Sequence, residues 1–327
     1  MKKFWLMALA AVLAWGCGED EKDKAAASAA GKYTIGVSVP AATHGWTGGV
    51  LWNAEQAKKE IEAKNPDIAV IVTTGQNTAE QANRIDDLVS RKVDALVVLS
   101  QEPEPLFPAC KKAKKNGAYL VIVSNPLPEP IQDHFVNGDN RSFGEQSAMA
   151  MGHVLGGKGD ILMLEGFANP INTERVNGFR EVLAQKFPGI KILDSKYTDW
   201  NTEKGFNAMQ DLLQKYPKVD AVWAGDDDVL VGALKAYEKS KRTDVKAMLG
   251  GGGSKIMVKK ILDGDPLVKA TVTYSPAMIK VGIEKAIAHH RAVKAGTPED
   301  GKKETLIPSE IVVKDTAAKY YFPESVY

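Results

Sequence analysis

The sequence predicts an α/β protein of two similar lobes, each a parallel sheet with helices on both faces. Short β-rich apolar runs alternate with helix-length amphipathic segments along most of the chain, and that alternation builds parallel sheets. KVDALVVLS (92–100) recurs as KVDAVWAGD (218–226), each an apolar run ending in polar residues. Upstream, GQNTAEQANRIDDLV (75–89) lines up with DWNTEKGFNAMQDLL (199–213), matching Asn77 with Asn201, Thr78 with Thr202 and Asp87 with Asp211. A tandem match of this length means two related units.

In chain order, strands are expected at Tyr33 to Val39, Ala69 to Thr73, Ala95 to Leu99, Tyr119 to Val123, Asp160 to Leu164, Lys191 to Leu193, Ala221 to Trp223, Lys246 to Leu249 and Ala270 to Thr273, with helices between most of them. In both copies of the repeat an Asn-Thr pair caps a helical pattern, and a short loop joins that helix to a buried strand. The 327 residues, 44% hydrophobic and 25% charged, suffice for two packed cores.

The N-terminus, MKKFWLMALAAVLAWGC, sets two lysines before an apolar run too short to anchor as a span, the layout of an export signal over 1–16. Cys17 ends that run, and its setting resembles the cleavage box of a bacterial lipoprotein, which implies lipidation at Cys17 and a flexible polar tether over 17–31. Ordinary cleavage in the Ala-rich stretch Ala25 to Ala30 would discard Cys17, but that stretch lies far beyond the apolar run. The one other cysteine, Cys110, lies on a Lys-rich helical segment, so no disulfide framework is available. Once Lys2 and Lys3 leave with the signal, the 42 basic residues fall just below the 41 acidic ones, and no electrostatic footprint for nucleic acid remains.

Ligands of open α/β sheets sit beyond the carboxyl ends of the strands, where loops converge and helix N-termini supply N–H donors. The residues expected there are THGW (43–46), Ser100 and Gln101, Ser124 and Asn125, the EGFANP turn with Arg175 beyond it, Asp199 and Trp200, Asp226 to Asp228, GGGG (250–253) and TYSP (273–276). This set is aromatic and hydrogen-bonding with few cations. It suits a small polyhydroxylated ligand, because aromatic faces cover sugar C–H surface while Asp, Asn and Arg bond hydroxyls. Trp46 and Trp200 fall in polar loops; Trp52 and Trp223, inside apolar elements, are expected in the core, and His289 and His290 in solvent. Of Asp226 to Asp228, one faces the cleft, another caps the helix that follows and the third is solvated.

Catalytic and metal chemistry find little support. The five histidines have no HExxH spacing and no Cys/His cluster, GxSxG is absent, and LGGGGSK lacks the spacing of a phosphate loop. No catalytic residue, metal site or cofactor is expected.

The order YTIGVSVP, QNTAEQANRIDDLVSRKVDALVV, VNGDNRSFGEQ, ERVNGFREVL, DWNTEKGFNAMQDLL, VWAGDDDVLVGALKAY and DGDPLVKATVTYSP resembles the periplasmic sugar-binding proteins of the ribose and galactose type that serve ABC importers. The resemblance implies the type I periplasmic binding protein fold, two Rossmann-like lobes joined by a three-segment hinge that closes on ligand. It divides the chain into an N-terminal lobe of 32–138 plus 275–305 and a C-terminal lobe of 139–274 plus 306–327. By motif it implies a ligand set of His44, Trp46, Ser124, Asn125, Arg175, Trp200 and Asp226, with Tyr274 at the hinge, and Asp227 or Asp228 as the helix cap. It also implies a monomer that delivers its ligand to an inner-membrane ABC permease, and it allows a chemoreceptor as a further partner. Two departures, Gly252 where many members carry aspartate and Ser124-Asn125 in place of a charged pair, turn the expected ligand from ribose or glucose toward an alditol or an unusual pentose or hexose.

Family repressors carry a DNA-binding helix-turn-helix where this chain has its export signal. Three other readings stand beside the importer. An exported carbohydrate hydrolase would need two carboxyls across one bond, and acidic density is clear at one strand end only. A receptor for a furanosyl signal is the second; a structural lipoprotein, which has no use for Arg175 and aromatics at strand ends, is the third.

Overall fold

Each copy of the duplicated sequence builds one six-stranded sheet. In the computed structural model residues 31–42, 44–298, 301 and 303–327 are described, so the export signal, Cys17 and the tether up to residue 30 lie outside the described residues. The first sheet runs β2-β1-β3-β4-β5-β11, from β1 (Tyr33–Pro40), β2 (Ile68–Gly75), β3 (Ala95–Val98), β4 (Tyr119–Val123), β5 (His134–Gly138) and β11 (Lys303–Ile307), and is parallel throughout. The second runs β7-β6-β8-β9-β10-β12, from β6 (Lys158–Glu165), β7 (Gly189–Tyr197), β8 (Ala221–Ala224), β9 (Ala247–Leu249), β10 (Val268–Val272) and β12 (Ile311–Val312). Only β12 in it is antiparallel.

Strands covered on both faces read as continuous apolar runs. In β3, Ala95 and Val97 face the cluster that α1 (Gly45–Lys64) and α9 (Met278–Lys294) cover. Leu96 and Val98 face α2 (Thr78–Ser90) and α3 (Pro103–Lys115) instead. The second sheet is covered by α4 (Asn140–Leu155) and α5 (Pro170–Lys186) on one side, and by α6 (Thr202–Lys215), α7 (Asp227–Ser240) and α8 (Lys255–Asp263) on the other. The short α10 (Ala317–Tyr320) packs on α8. Cys110 of α3 is free and buried, and burial pushes its thiol up to about 12.

The repeat is a repeat of hydrogen bonds. Asn77 caps α2 by accepting from Glu80 N–H at 2.9 Å, and Asn201 caps α6 by accepting from Lys204 N–H at 3.0 Å. The aspartates of the two KVDA segments also match. Asp94 accepts from Thr34 N–H at 2.7 Å and Asp220 from Asp160 N–H at 2.9 Å, each tying a strand start to its neighbour.

The chain crosses between sheets three times, after β5, after β10 and after β11. β5, β11 and β12 are strands the periodicity did not reveal. HFVNG buries only alternate residues and KETLI alternates half-buried with exposed ones, so both lack the apolar run that marks a central strand. β11 pairs with β5 as far as Ile307 against Gly138, so the third crossing falls at 308–310 and not after residue 305. Trp52 is half-buried on α1, whereas Trp223 is fully buried and stacked on Phe179 at 4.3 Å. His289 and His290 are half-buried rather than solvated, because each stacks on a tyrosine, Tyr119 and Tyr33, with centroids 3.8 Å apart.

Because the two Asn caps are equivalent, Asn77→Ala and Asn201→Ala are each expected to lower unfolding free energy by about 1 kcal/mol, read from urea melts. A loss within error at both positions would contradict the capping role.

Candidate ligand-binding site

The carboxyl ends of both sheets open onto one cavity of about 600 Å³. The structure brings together around it all eight residues singled out from the sequence: His44, Trp46, Ser124 and Asn125 from the first lobe, Arg175, Trp200 and Asp226 from the second, and Tyr274 from the second crossing.

Arg175 is the buried centre. Its residue is 4% exposed, its Nε donates to Asn140 Oδ1 and its Nη1 to Gly225 O, both at 2.9 Å. The guanidinium lies 4.1 Å from the Phe143 ring and 4.4 Å from the Tyr274 ring, close enough for cation–π attraction from both. Burial pulls its proton affinity down, while Tyr274 and Asp226 pull it up. The arginine reaches this depth because α4 and α5 touch backbone to backbone: a Cβ at Gly144 would collide with Arg175 O, and one at Gly178 with Arg141 O.

Asp226, Asp227 and Asp228 divide three tasks, and differently from the expected division. Asp226 lines the cavity and is itself the cap of α7, accepting from Asp228 N–H at 2.7 Å. The extended backbone of Asp226 allows both roles, since one carboxylate oxygen caps and the other is left for the cavity. Burial, then Asp228 and Asp227, raises its carboxyl well above the ordinary range; the Asp228 N–H and Arg175 oppose this. Asp227 points inward, accepting from Ser254 N–H at 2.7 Å and from Thr271 Oγ1 at 2.9 Å, and so holds the glycine turn. Asp228 is not a solvated bystander. It reaches the other lobe, accepting from Gly45 N–H at 2.8 Å beside His44, whose Nδ1 is 3.9 Å away. A carboxylate of one lobe thus caps the first turn of α1 in the other. Burial lowers the His44 pKa, and Asp228 partly restores it.

His44 and Trp46 were expected in a loop, but α1 starts at Gly45, so His44 is its cap residue and Trp46 lies in its first turn. Trp46 Nε1 donates to Tyr274 O at 2.8 Å, so helix and crossing are tied together. Ser124 Oγ lies 2.8 Å from the Tyr274 hydroxyl, and Asn125 Nδ2 donates to Ser100 O at 2.6 Å. Ser124, Asp199 and Trp200 have φ of 63°, 51° and 51°, the left-handed region that side chains other than glycine seldom adopt. Trp200 stands edge-on to Phe167, centroids 5.2 Å apart, and its Nε1 has no partner in the protein. His44 Nδ1, Ser100 Oγ and Gln101 Oε1 are likewise buried and unpaired at this cavity.

The ligand set of eight left out Gln101, Phe167 and Asn169, which line the cavity and were expected at the strand ends, and Asn140, which orients Arg175. All four lie in segments already marked as strand ends or motif, but without a periodicity to single them out. Tyr327, the last residue, had no signal at all, yet it is buried beside Gly252. Among the described residues no group of three or more His, Cys, Asp or Glu side chains is placed to hold a metal ion.

Burial raises the Asp227 carboxyl from 3.8 to about 7. The unfolded chain then releases this proton before the folded one, so Asp227 subtracts stability as pH rises from about 4 to about 7. Asp227→Asn is expected to flatten the stability profile in that window by about one proton relative to the unsubstituted chain; parallel profiles would show that Asp227 titrates normally.

Comparison with known proteins agrees with this architecture. The model of the periplasmic binding protein domain matches residues 35–291. The chain is 31% identical over 206 residues to the xylitol-binding protein of Mycolicibacterium smegmatis, a match covering 62% of this chain and 58% of that protein. It is 28% identical to the ribose import binding protein of Bacillus subtilis over 84% of this chain and 88% of that one. An ABC transporter solute-binding protein from Mycobacterium smegmatis, solved with glycerol, superposes with a TM-score of 0.76 at 27% identity, covering 90% of this chain and 99% of that chain. These relatives are solute-binding proteins, not enzymes, and the two parallel-sheet lobes are those of the type I fold. The chain belongs to the periplasmic binding protein family, as a substrate-binding protein of the sugar ABC transporter kind.

Proposed function

We propose that the chain captures a monosaccharide or sugar alcohol in the cavity between its lobes and hands it to an inner-membrane ABC permease. The observation that carries this reading is the cavity wall itself. Unpaired polar atoms at His44, Ser100, Gln101 and Trp200 alternate with aromatic faces, and a buried Arg175 and Asp226 add a strong donor and a strong acceptor. Neutral hydroxyls satisfy such a wall without burying further net charge, and about 600 Å³ accommodates one small sugar. The relatives named for xylitol and ribose, and the neighbour solved with glycerol, support small polyols as the ligand class.

The lobe division is proposed with its boundaries at the three crossings, residues 139, 273–277 and 308–310, which form the hinge. Closure brings Asp228 onto Gly45, so each cycle of opening breaks and remakes a helix cap across the cleft. Ligand binding then stabilises the closed form by mass action. Export by the N-terminal signal, lipidation at Cys17 and action as a monomer complete the proposal. Among the described residues no helix is long and apolar enough to cross a membrane.

A thermal-shift screen of Lys32 onward against pentoses, hexoses, alditols and furanosides is expected to give one large upward shift with the ligand recovered intact. Trp200→Ala should weaken that ligand about ten-fold or more. No shift across the panel would reject the ligand class. In cell fractionation, Cys17→Ala should move the mature protein from the membrane to the soluble fraction; an unchanged distribution would reject lipid anchoring.

A further inference from the structure

Gly252 lines the cavity but offers it no side chain, and its φ of 119° is a conformation glycine tolerates. The space its side chain would enter is taken by the far end of the sequence: a Cβ built on Gly252 would collide with the Tyr327 hydroxyl oxygen. That oxygen is buried without a partner in the protein, and the residue is 7% exposed. The phenol is held well above its ordinary pKa first by burial and then by Asp226, Asp227 and Asp228, while Arg175 opposes them. The ring therefore stands directly behind Gly252, backing the cavity wall without lining the cavity itself.

Two sets of contacts fix it there. On the second lobe, Lys255 Nζ donates to the carbonyls of Pro323 and Ser325, at 3.3 Å and 2.5 Å, and Tyr327 N–H donates to Ser325 Oγ at 3.1 Å. Toward the first lobe, added Cβ atoms at Gly45 and Gly49 would lie 3.1 Å and 2.7 Å from Tyr327 atoms, so glycine at both positions of α1 makes room for it. Three glycines from two lobes thus make room for this one ring.

We propose that Tyr327 is a specificity-determining residue: its ring backs the cavity wall at Gly252, where no side chain intervenes, and so limits the length of the polyol the cleft accepts. This rests on the polyol reading above. A wall of this kind discriminates by volume, and one added carbon in a fitted pocket changes affinity by about ten-fold or more.

The test is titration calorimetry with two homologous pairs, xylitol with D-sorbitol and D-ribose with D-allose, on the full mature chain. The ratio of Kd for the longer to the shorter member is expected to fall about ten-fold or more in Tyr327→Ala. Tyr327→Leu should lower it in the same direction if the alanine variant folds poorly, and Tyr327→Phe, which keeps the ring, should retain the original ratio. A purely structural tyrosine would lower the melting temperature and leave the ratio alone, and that result overturns the inference by itself. Failure of the unsubstituted chain to bind any polyol overturns the functional reading, and this inference with it. A ligand-free double-mutant cycle fixes the position independently. Gly252→Ala should cost less in the Tyr327→Ala background, the strain at φ 119° being common to both; an equal cost would show that the ring does not occupy that space.

Discussion

A guanidinium buried where two lobes meet is the constraint to which the rest of the site answers. Arg175 forms no ion pair within 4 Å among the described residues, so its desolvation is offset by other means: two hydrogen bonds to Asn140 and Gly225, aromatic faces from Phe143 and Tyr274, and the more distant charge of Asp226. These partners come from three separate parts of the chain. Asn140 and Phe143 start α4, Gly225 and Asp226 follow β8, and Tyr274 belongs to a crossing, so placing one side chain fixes two helices, a strand end and a hinge. Gly144 and Gly178 then follow as a steric requirement of the same placement.

The three consecutive aspartates show how repulsion among like charges is avoided by divergence. Successive side chains at a strand-to-helix junction point in different directions, and here each finds a separate donor: the N–H of its own helix for Asp226, the Ser254 turn for Asp227, and the α1 terminus of the other lobe for Asp228. One is bound up with ligand recognition, one with local architecture and one with the relation between lobes. Burial, and then the repulsion of its two neighbours, holds Asp226 easier to protonate than an exposed carboxylate, with the Asp228 N–H and Arg175 as counterweights.

Backbone strain gathers at the same place. Ser124, Asp199 and Trp200 occupy the left-handed region at the rim of the cavity, where the surrounding hydrogen bonds hold them, and Asp199 is further tied to Lys204. Such conformations cost energy in the folded state and are retained when they aim a side chain. Trp200, edge-on to Phe167 with its indole nitrogen unpaired, is aimed in this way.

Fold class, duplication and the strand ends where the cleft had to form are legible along the chain, because they are written in local periodicity and in capping residues such as Asn77 and Asn201. The sequence also named Arg175, Trp200 and Asp226, since chemistry-bearing residues at strand ends in a parallel sheet converge. Tertiary structure alone decided the rest. That Asp228 caps a helix in the other lobe, that His289 stacks on Tyr119 and that Tyr327 fills the space above Gly252 are contacts between residues far apart in the chain. No local pattern encodes such contacts, because each depends on where two separately folded surfaces meet. The edge strand β11 and its neighbour β5 escaped for a related reason: β5 buries only alternate residues and β11 none fully, so neither has the apolar run that announces a central strand.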